Sequence, residues 1–270
     1  MPLFLPSHRR RLFLLLVLLP LTAGILGTPA VAETAPAAGC TQYDLTGEFG
    51  GPGAGFNALL IGDAQPPILA ERTFDGLDVV SLDSGLLDTG DNATFIYRVI
   101  DGNFRIVTPR PFTGDTFFTS DPATEGGVMV RWAENSTTSR ASVTYRPLDP
   151  AGPSVRFEVR IAGDTNLTEI ARVPLADIDD LAIDIVDDTV TGLVSRDNGA
   201  TFEALGSASI TDLLSGVRAD RRGAPEKVQT GLFAGVVSVS ASYDPAVLPD
   251  PASYVFPFLD ICAASGTAPT

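Results

Sequence analysis

What the chain lacks narrows its chemistry first. Its 270 residues hold one histidine, His8, and two cysteines, Cys40 and Cys262. One tryptophan, Trp132, and two methionines are present, and Lys227 is the sole lysine. His8 falls in a leader-like N-terminus, so the body of the protein contains none. That excludes Ser-His-Asp and Cys-His catalysis within the chain and any His-ligated metal. Positive charge is also scarce, with 18 Lys+Arg against 33 Asp+Glu. The first 32 residues carry three of the arginines, Arg9, Arg10 and Arg11, and no acid. Without them 15 basic side chains face 33 acidic ones, a net charge of −18. Such a surface repels a phosphate backbone, which argues against nucleic acid as a partner. With 21 prolines and 26 glycines the chain is poorly suited to long helices.

What is there begins with an export signal. Basic His8–Arg11 precedes the apolar run Leu12–Leu26, and Ala30-Val31-Ala32 offers a small-x-small cleavage site ahead of Glu33. The expected organisation is a signal peptide over 1–32, a leader over 33–42, one domain over 43–262 and a tail over 263–270. The run is short for a span and is broken by Pro20 and Gly24, so no transmembrane segment is expected after cleavage. The mature protein is then secreted, periplasmic or on the cell surface. In that oxidising setting Cys40 and Cys262 are expected to pair. Pairing would close nearly the whole mature chain and make its first and last strands neighbours. The competing reading is lipidation at Cys40, since Ala38-Gly39-Cys40 ends like a lipoprotein signal but has Ala at position 37.

The rest reads as strands and turns, with no internal repeat. Val155, Phe157, Val159 and Ile161 alternate with Arg156, Glu158 and Arg160, the period of a strand with one buried face. Thr94–Ile100 meets Phe104–Val107 through Asp101-Gly102-Asn103, a hairpin signature. Further strands are expected at 128–132, 141–145, 181–186, 190–195, 201–205, 231–240 and 254–261. Only 209–216 reads as a helical turn. Residues 47–87 show no firm register, and 218–226 read as an exposed loop. Asn92, Asn135 and Asn166 open N-x-S/T acceptor sequons, informative only in a eukaryotic host.

One turn carries a family motif. Ser195-Arg-Asp-Asn-Gly-Ala-Thr-Phe202 matches the Asp-box, S-x-D-x-G-x-T-[W/F]. Its physics assigns Asp197 as the acceptor across a turn opened by Ser195, Gly199 as the positive-φ residue, and Thr201 and Phe202 as the start of the next strand, with Phe202 pinning that strand to the core. Ser81–Gly85 matches the first half only. The wider succession includes Glu125-Gly-Gly-Val-Met-Val-Arg131, Val155–Arg160, Leu181–Asp188, the 195–202 hairpin and Val228–Gly235. It resembles an uncharacterised extracellular bacterial branch of the concanavalin A-like lectin/glucanase superfamily. That branch carries a Trp in the strand before the hairpin, where this chain has Asp180-Leu-Ala-Ile183. The resemblance implies an all-β jelly-roll β-sandwich of two antiparallel sheets and a non-catalytic, lectin-like role in carbohydrate recognition.

Three groups of residues are candidates for chemistry. Glycoside hydrolysis needs two carboxylates about 5–9 Å apart. The glucanase pattern E-x-D-x-(x)-E is absent, and Asp177-Ile-Asp179 is its nearest imitation. No catalytic residue is assigned, and a carboxylate-dependent hydrolase or lyase stands as the alternative function. A structural or adhesive envelope protein without a small ligand is the third. Nine acids lie between Ile161 and Ala200, and Asp177, Asp179 and Asp180 are either Ca²⁺ ligands or solvated turn acids. No other cofactor is expected. Eight arginines fall within 98–160, of which Arg131, Arg156 and Arg160 share an outward parity. With Tyr97, Tyr145 or Trp132 they form a stripe for an oligosaccharide, including an acidic one, or else an ordinary paired sheet face over a core that holds the rings.

Overall fold

A computed structural model describes residues 33–34, 39–44, 56–61, 69–72, 76–81, 86–87, 90–91, 93–113, 124–132, 138–161, 167–215, 232–239 and 252–264. The expected signal peptide, Lys227, the three sequon asparagines, most of the half-match at 81–85 and the 218–226 loop lie outside them. In chain order the strands are β1 (Glu33–Thr34), β2 (Cys40–Asp44), β3 (Asn57–Ile61), β4 (Leu69–Arg72), β5 (Leu77–Ser81), β6 (Leu86–Leu87) and β7 (Gly90–Asp91). Next come β8 (Ala93–Ile100), β9 (Phe104–Pro109), β10 (Phe112–Thr113), β11 (Glu125–Arg131), β12 (Arg140–Arg146), β13 (Ser154–Arg160) and β14 (Thr168–Pro174). Then follow β15 (Asp180–Val186), β16 (Thr189–Ser195), β17 (Thr201–Ser209), the single turn of helix α1 (Ile210–Leu214), β18 (Leu232–Val239), β19 (Ala252–Phe256) and β20 (Phe258–Ala263).

Two seven-stranded antiparallel sheets form the sandwich. One runs β1-β17-β16-β15-β9-β20-β2 and is termed the disulfide sheet; the other runs β14-β13-β12-β11-β18-β8-β3 and is termed the arginine sheet. A four-stranded sheet, β10-β19-β5-β4, adds Leu77, Val79, Tyr254 and Phe256 to the same core. Among the described residues no helix is long and apolar enough to cross a membrane.

Alternation builds the interior. Phe104, Ile106, Leu181, Ile183, Ile185, Val190 and Val194 of the disulfide sheet face Val128, Val130, Ala141, Val143, Val155, Phe157 and Val159 of the arginine sheet. Each fully buried Val, Leu, Ile or Phe contributes about 1.5–3 kcal/mol through lost apolar hydration. Trp132 joins this core at 4 % exposure. Two glycines let the layers close: a Cβ on Gly192 would sit 2.4 Å from the Phe157 ring, and one on Gly126 2.5 Å from that of Tyr254.

Cys40 and Cys262 are register partners on β2 and β20 and are disulfide-bonded across 222 residues. The chain's first and last long strands therefore lie side by side. Two expectations need correcting. Cys40, Thr41 and Gln42, expected in the leader, belong to strand β2, because β20 offers that strand a full ladder of partners. The single strand expected over 254–261 is two strands in different sheets, since Pro257 has no N–H to continue a ladder and the chain changes layer there.

Candidate functional site

The sandwich has two outer faces, and the one on the disulfide sheet contains a cavity. Alternation places Phe104 and Ile106 inward, so Arg105 and Val107 point outward. The same parity turns Asp180, Ala182 and Asp184 of β15, and Phe258, Asp260 and Cys262 of β20, to that face. Register sets them in rows: Asp184 opposite Arg105 opposite Cys262 opposite Cys40, and Ala182 opposite Val107 opposite Asp260 opposite Gln42. Val107, Ala182, Leu193 and Phe202 form a small apolar cluster separate from the main core. Above it lies a cavity of about 150 Å³ bounded by Arg105, Val107, Asp180, Asn198, Gly199, Phe202, Phe258, Asp260 and the disulfide. That is below the volume a drug-sized ligand needs and suits a single ring.

Its electrostatics are uneven. Arg105 is held bidentate by Asp184, with Nε to Oδ1 and Nη2 to Oδ2 both at 2.5 Å, and its guanidinium lies 4.8 Å from the Phe202 ring centre. Asp180 is only 6 % exposed, and its Oδ2 is buried with no hydrogen-bond partner. Burial first, then the charges of Asp179, Asp260 and Asp197, push its carboxyl up to about 6 despite a hydrogen bond from Ser195. Asp260 is half-buried, its Oδ1 also has no partner, and burial raises it against a hydrogen bond from Gln42. Buried acceptors without donors are uncommon, because each forfeits its hydration.

The 195–202 turn supplies the cavity rim. Ser195 Oγ, whose one proton serves either Asp197 Oδ1 (2.9 Å) or Asp180, accepts the Gly199 N–H (2.8 Å). Asp197 Oδ1 accepts the Thr201 N–H (2.8 Å), and its Oδ2 accepts the Thr201 hydroxyl (2.6 Å). These bonds hold the Asp197 carboxyl below its ordinary value, that from the Thr201 hydroxyl first. Asn198 and Gly199 take φ of 54° and 78°, which brings the backbone over the cavity. Phe202 packs in the outer cluster with Val107 and Leu193, not in the inter-sheet core, because β17 turns it to the outside.

The arginine sheet holds the residues expected to form a cationic stripe. Arg131, Arg140 and Arg160 are direct cross-strand partners on β11, β12 and β13, so the shared parity is present. Their exposure differs from expectation: Arg131 and Arg160 are each 0 % exposed. Arg131 and Arg140 each place Nη1 near Met129 Sδ, at 4.0 and 3.6 Å, and Arg140 lies 3.8 Å from Glu158. Arg156 is half-buried and bonds to Asp149 (2.8 Å), with Glu169 at 3.3 Å and Glu158 at 3.8 Å. Arg146 reaches Glu125 at 2.7 Å and Glu158 at 3.9 Å. Burial raises the Glu158 carboxyl, as does neighbouring Glu125, against the pull of three arginines. Tyr97 is buried against Phe95 and Phe233. Tyr145 is half-buried and meets Tyr254 edge-on, with Arg110 6.0 Å from its ring centre. Among the described residues Trp132 is in the core, Tyr97 is buried and Arg131 and Arg160 are fully covered, so these do not line an open groove together.

The candidate metal acids separate. Asp177 is exposed at a φ of 62°, Asp179 Oδ2 accepts the Asn198 N–H (3.3 Å), and Asp180 turns into the cavity. Among the described residues no three or more His, Cys, Asp or Glu side chains are grouped as metal ligands would be. Sequence reasoning passed over Asp260, Arg105, Asn198 and Phe258 as site residues. The available signal was an acid at the centre of the apolar strand Phe258-Leu-Asp-Ile-Cys262, where parity turns it outward.

No family model matches the chain, and no curated protein does. Solved structures match in fold. GH43B of the Bacteroides ovatus xyloglucan PUL aligns with a TM-score of 0.53 and 14% identity over 87% of this chain and 42% of its own. The GH43 protein BlXynB from Bacillus licheniformis gives 0.50 and 11% identity over 69% of this chain and 33% of that one. The chain thus spans 42% and 33% of the length of these two proteins. A legume lectin-like domain from Entamoeba histolytica aligns at 0.45 with 9% identity over 78% and 91%. At these identities the likeness is one of fold, an all-β antiparallel sandwich.

Proposed function

We propose that the protein is a secreted, non-catalytic, lectin-like carbohydrate-recognition domain on a concanavalin A-like jelly roll, acting in the periplasm, on the cell surface or beyond it. The observation that carries this reading is the cavity on the disulfide sheet. Asp180, whose buried Oδ2 has no hydrogen-bond partner, lines a one-ring space together with Phe202 and Phe258. A pyranose offers hydroxyl donors to such an acceptor and an apolar C–H face to such rings. Export fits the disulfide, which persists only where thiols are oxidised. The experiment is a glycan array probed with the exported protein and followed by calorimetry. Saturable binding of at least one glycan, lost in Asp180→Ala with the fold retained by circular dichroism, is the expected result. No retention of any glycan would end the reading. Intact mass of the exported protein is expected to begin at Glu33; a start at Met1 would remove the export signal.

A second reading, a carboxylate-dependent hydrolase or lyase, draws support from one feature. Asp180, pushed up to about 6, stands in the same cavity as Asp260, the kind of pair that separates acid and base roles. Release of reducing ends or unsaturated products from a bound polysaccharide, abolished in Asp180→Asn, would promote it over recognition alone.

A further inference from the structure

We propose that the disulfide-sheet cavity selects a ligand bearing an ammonium group, and, resting on the carbohydrate reading above, that the ligand is an amino sugar with a free amine. The charge census points there. Two carboxylates, Asp180 and Asp260, enter the cavity. Among the described residues the one cation lining it is Arg105, and Asp184 already neutralises that guanidinium in a bidentate pair. The lining therefore carries uncompensated negative charge inside a molecule that is itself strongly acidic.

The free oxygens sharpen this. Asp180 Oδ2 and Asp260 Oδ1 are buried acceptors without donors. Neutral hydroxyls would satisfy them, but an ammonium would satisfy them and cancel the charge as well. Hydrogen bonds in which one partner is charged are stronger than those between neutral groups. Gly199 stands next to Asp180: a Cβ there would lie 3.7 Å from Asp180 Oδ2 and 3.9 Å from the Phe202 ring, at ordinary contact distance. Burial that raises both carboxyls is the cost an incoming cation would relieve.

A bare metal ion fits less well. Ca²⁺ takes six to eight oxygens. Here two carboxylates and the Asn198 amide share the wall with Val107, Phe202 and Phe258. Apolar walls suit the carbon skeleton of an organic cation. The same census turns away uronic acids, so the acidic glycan expected of the arginine side is the class this cavity rejects.

The test titrates the full exported protein with four probes at pH 7: a β-1,4-glucosamine tetramer, its fully N-acetylated counterpart, a galacturonate tetramer and cyclohexylammonium. The glucosamine tetramer is expected to bind about tenfold or more tighter than the acetylated one, a factor worth about 1.4 kcal/mol. The galacturonate tetramer is expected not to bind. Asp180→Asn is expected to bring the first two affinities together while near-ultraviolet circular dichroism stays unchanged. If that variant fails to fold, Asp260→Asn is expected to reduce the same preference. Equal or tighter binding of the acetylated tetramer would overturn the ammonium assignment and leave carbohydrate recognition standing. Binding of cyclohexylammonium with no sugar bound would keep the ammonium site and sink the carbohydrate reading. Ca²⁺ displacing the glucosamine tetramer from the wild type but not binding Asp180→Asn would assign the cavity to the metal instead. Absence of binding by every probe would overturn both.

Discussion

On the arginine sheet Glu125, Glu158, Asp149 and Glu169 each meet a guanidinium; on the disulfide sheet, among the described residues, Asp180 and Asp260 meet none. Both outer faces bury charge and both pair some of it, Arg146 with Glu125 on one and Arg105 with Asp184 on the other, but among the described residues Asp180 and Asp260 have no guanidinium of their own. Where register brings arginine ladders against glutamates, the chain spends its few cations on structure. Asp149 makes the point: burial pushes its carboxyl up, but hydrogen bonds from Ser154, Arg156 and the Ala151 N–H outweigh that and bring it well below the ordinary range. Asp180 has burial, three neighbouring acids and one hydroxyl donor, and its carboxyl moves the other way. Charge resolved internally is architecture; charge left unresolved beside a cavity is what a ligand can use.

That contrast can be broken on either face. The largest effect is expected from Cys40→Ser with Cys262→Ser. The chain-entropy argument assigns a loop of this size about 5 kcal/mol, and the cavity loses part of its rim as well. Urea unfolding of the pair variant against the oxidised wild type measures it. Next comes Glu125→Ala, which leaves Arg146 without its closest carboxylate in a buried setting. A loss of about 3–5 kcal/mol is expected by chemical denaturation, with the disulfide-sheet cavity unaffected in ligand titrations.

The smallest effect sharpens the comparison and has the opposite sign. The Asp180 carboxyl sits at about 6 in the fold against 3.8 as its ordinary value. The native state therefore holds that proton more tightly, and stability falls as pH rises from about 4 through about 6. Asp180→Asn removes the ionised group; the shift is worth about 3 kcal/mol, so the variant's melting temperature is expected to exceed the wild type's by about 6–12 °C at pH 8 and to match it at pH 4. A gain independent of pH would mean that neither burial nor the charges of Asp179, Asp260 and Asp197 raise this carboxyl.

How far the sequence reaches depends on whether periodicity or contact decides. Val155–Ile161 alternate cleanly, and β13 lies there with its apolar side inward. The Ser195–Phe202 turn is legible because its hydrogen bonds are local. Strand β14 was not legible: Thr168–Pro174 is an edge strand, largely exposed, and its identity comes from pairing with β13 across a bulge. The arginine ladder shows the same limit. Parity places Arg131, Arg140 and Arg160 on one side of a sheet, but parity alone says nothing about what covers that side. The cavity was the least legible, since Asp180 and Asp260 lie far apart in sequence and meet only through the stacking of β15, β9 and β20.

The Cys40–Cys262 bond borders the cavity it helps shape. Thermodynamic reciprocity then couples two events that look unrelated: if closing the bond favours occupancy, occupancy must favour the closed bond by the same factor. A reductant and a ligand would then oppose one another, and the equilibrium fraction of open bridge at a fixed ratio of reduced to oxidised dithiothreitol would report how full the site is.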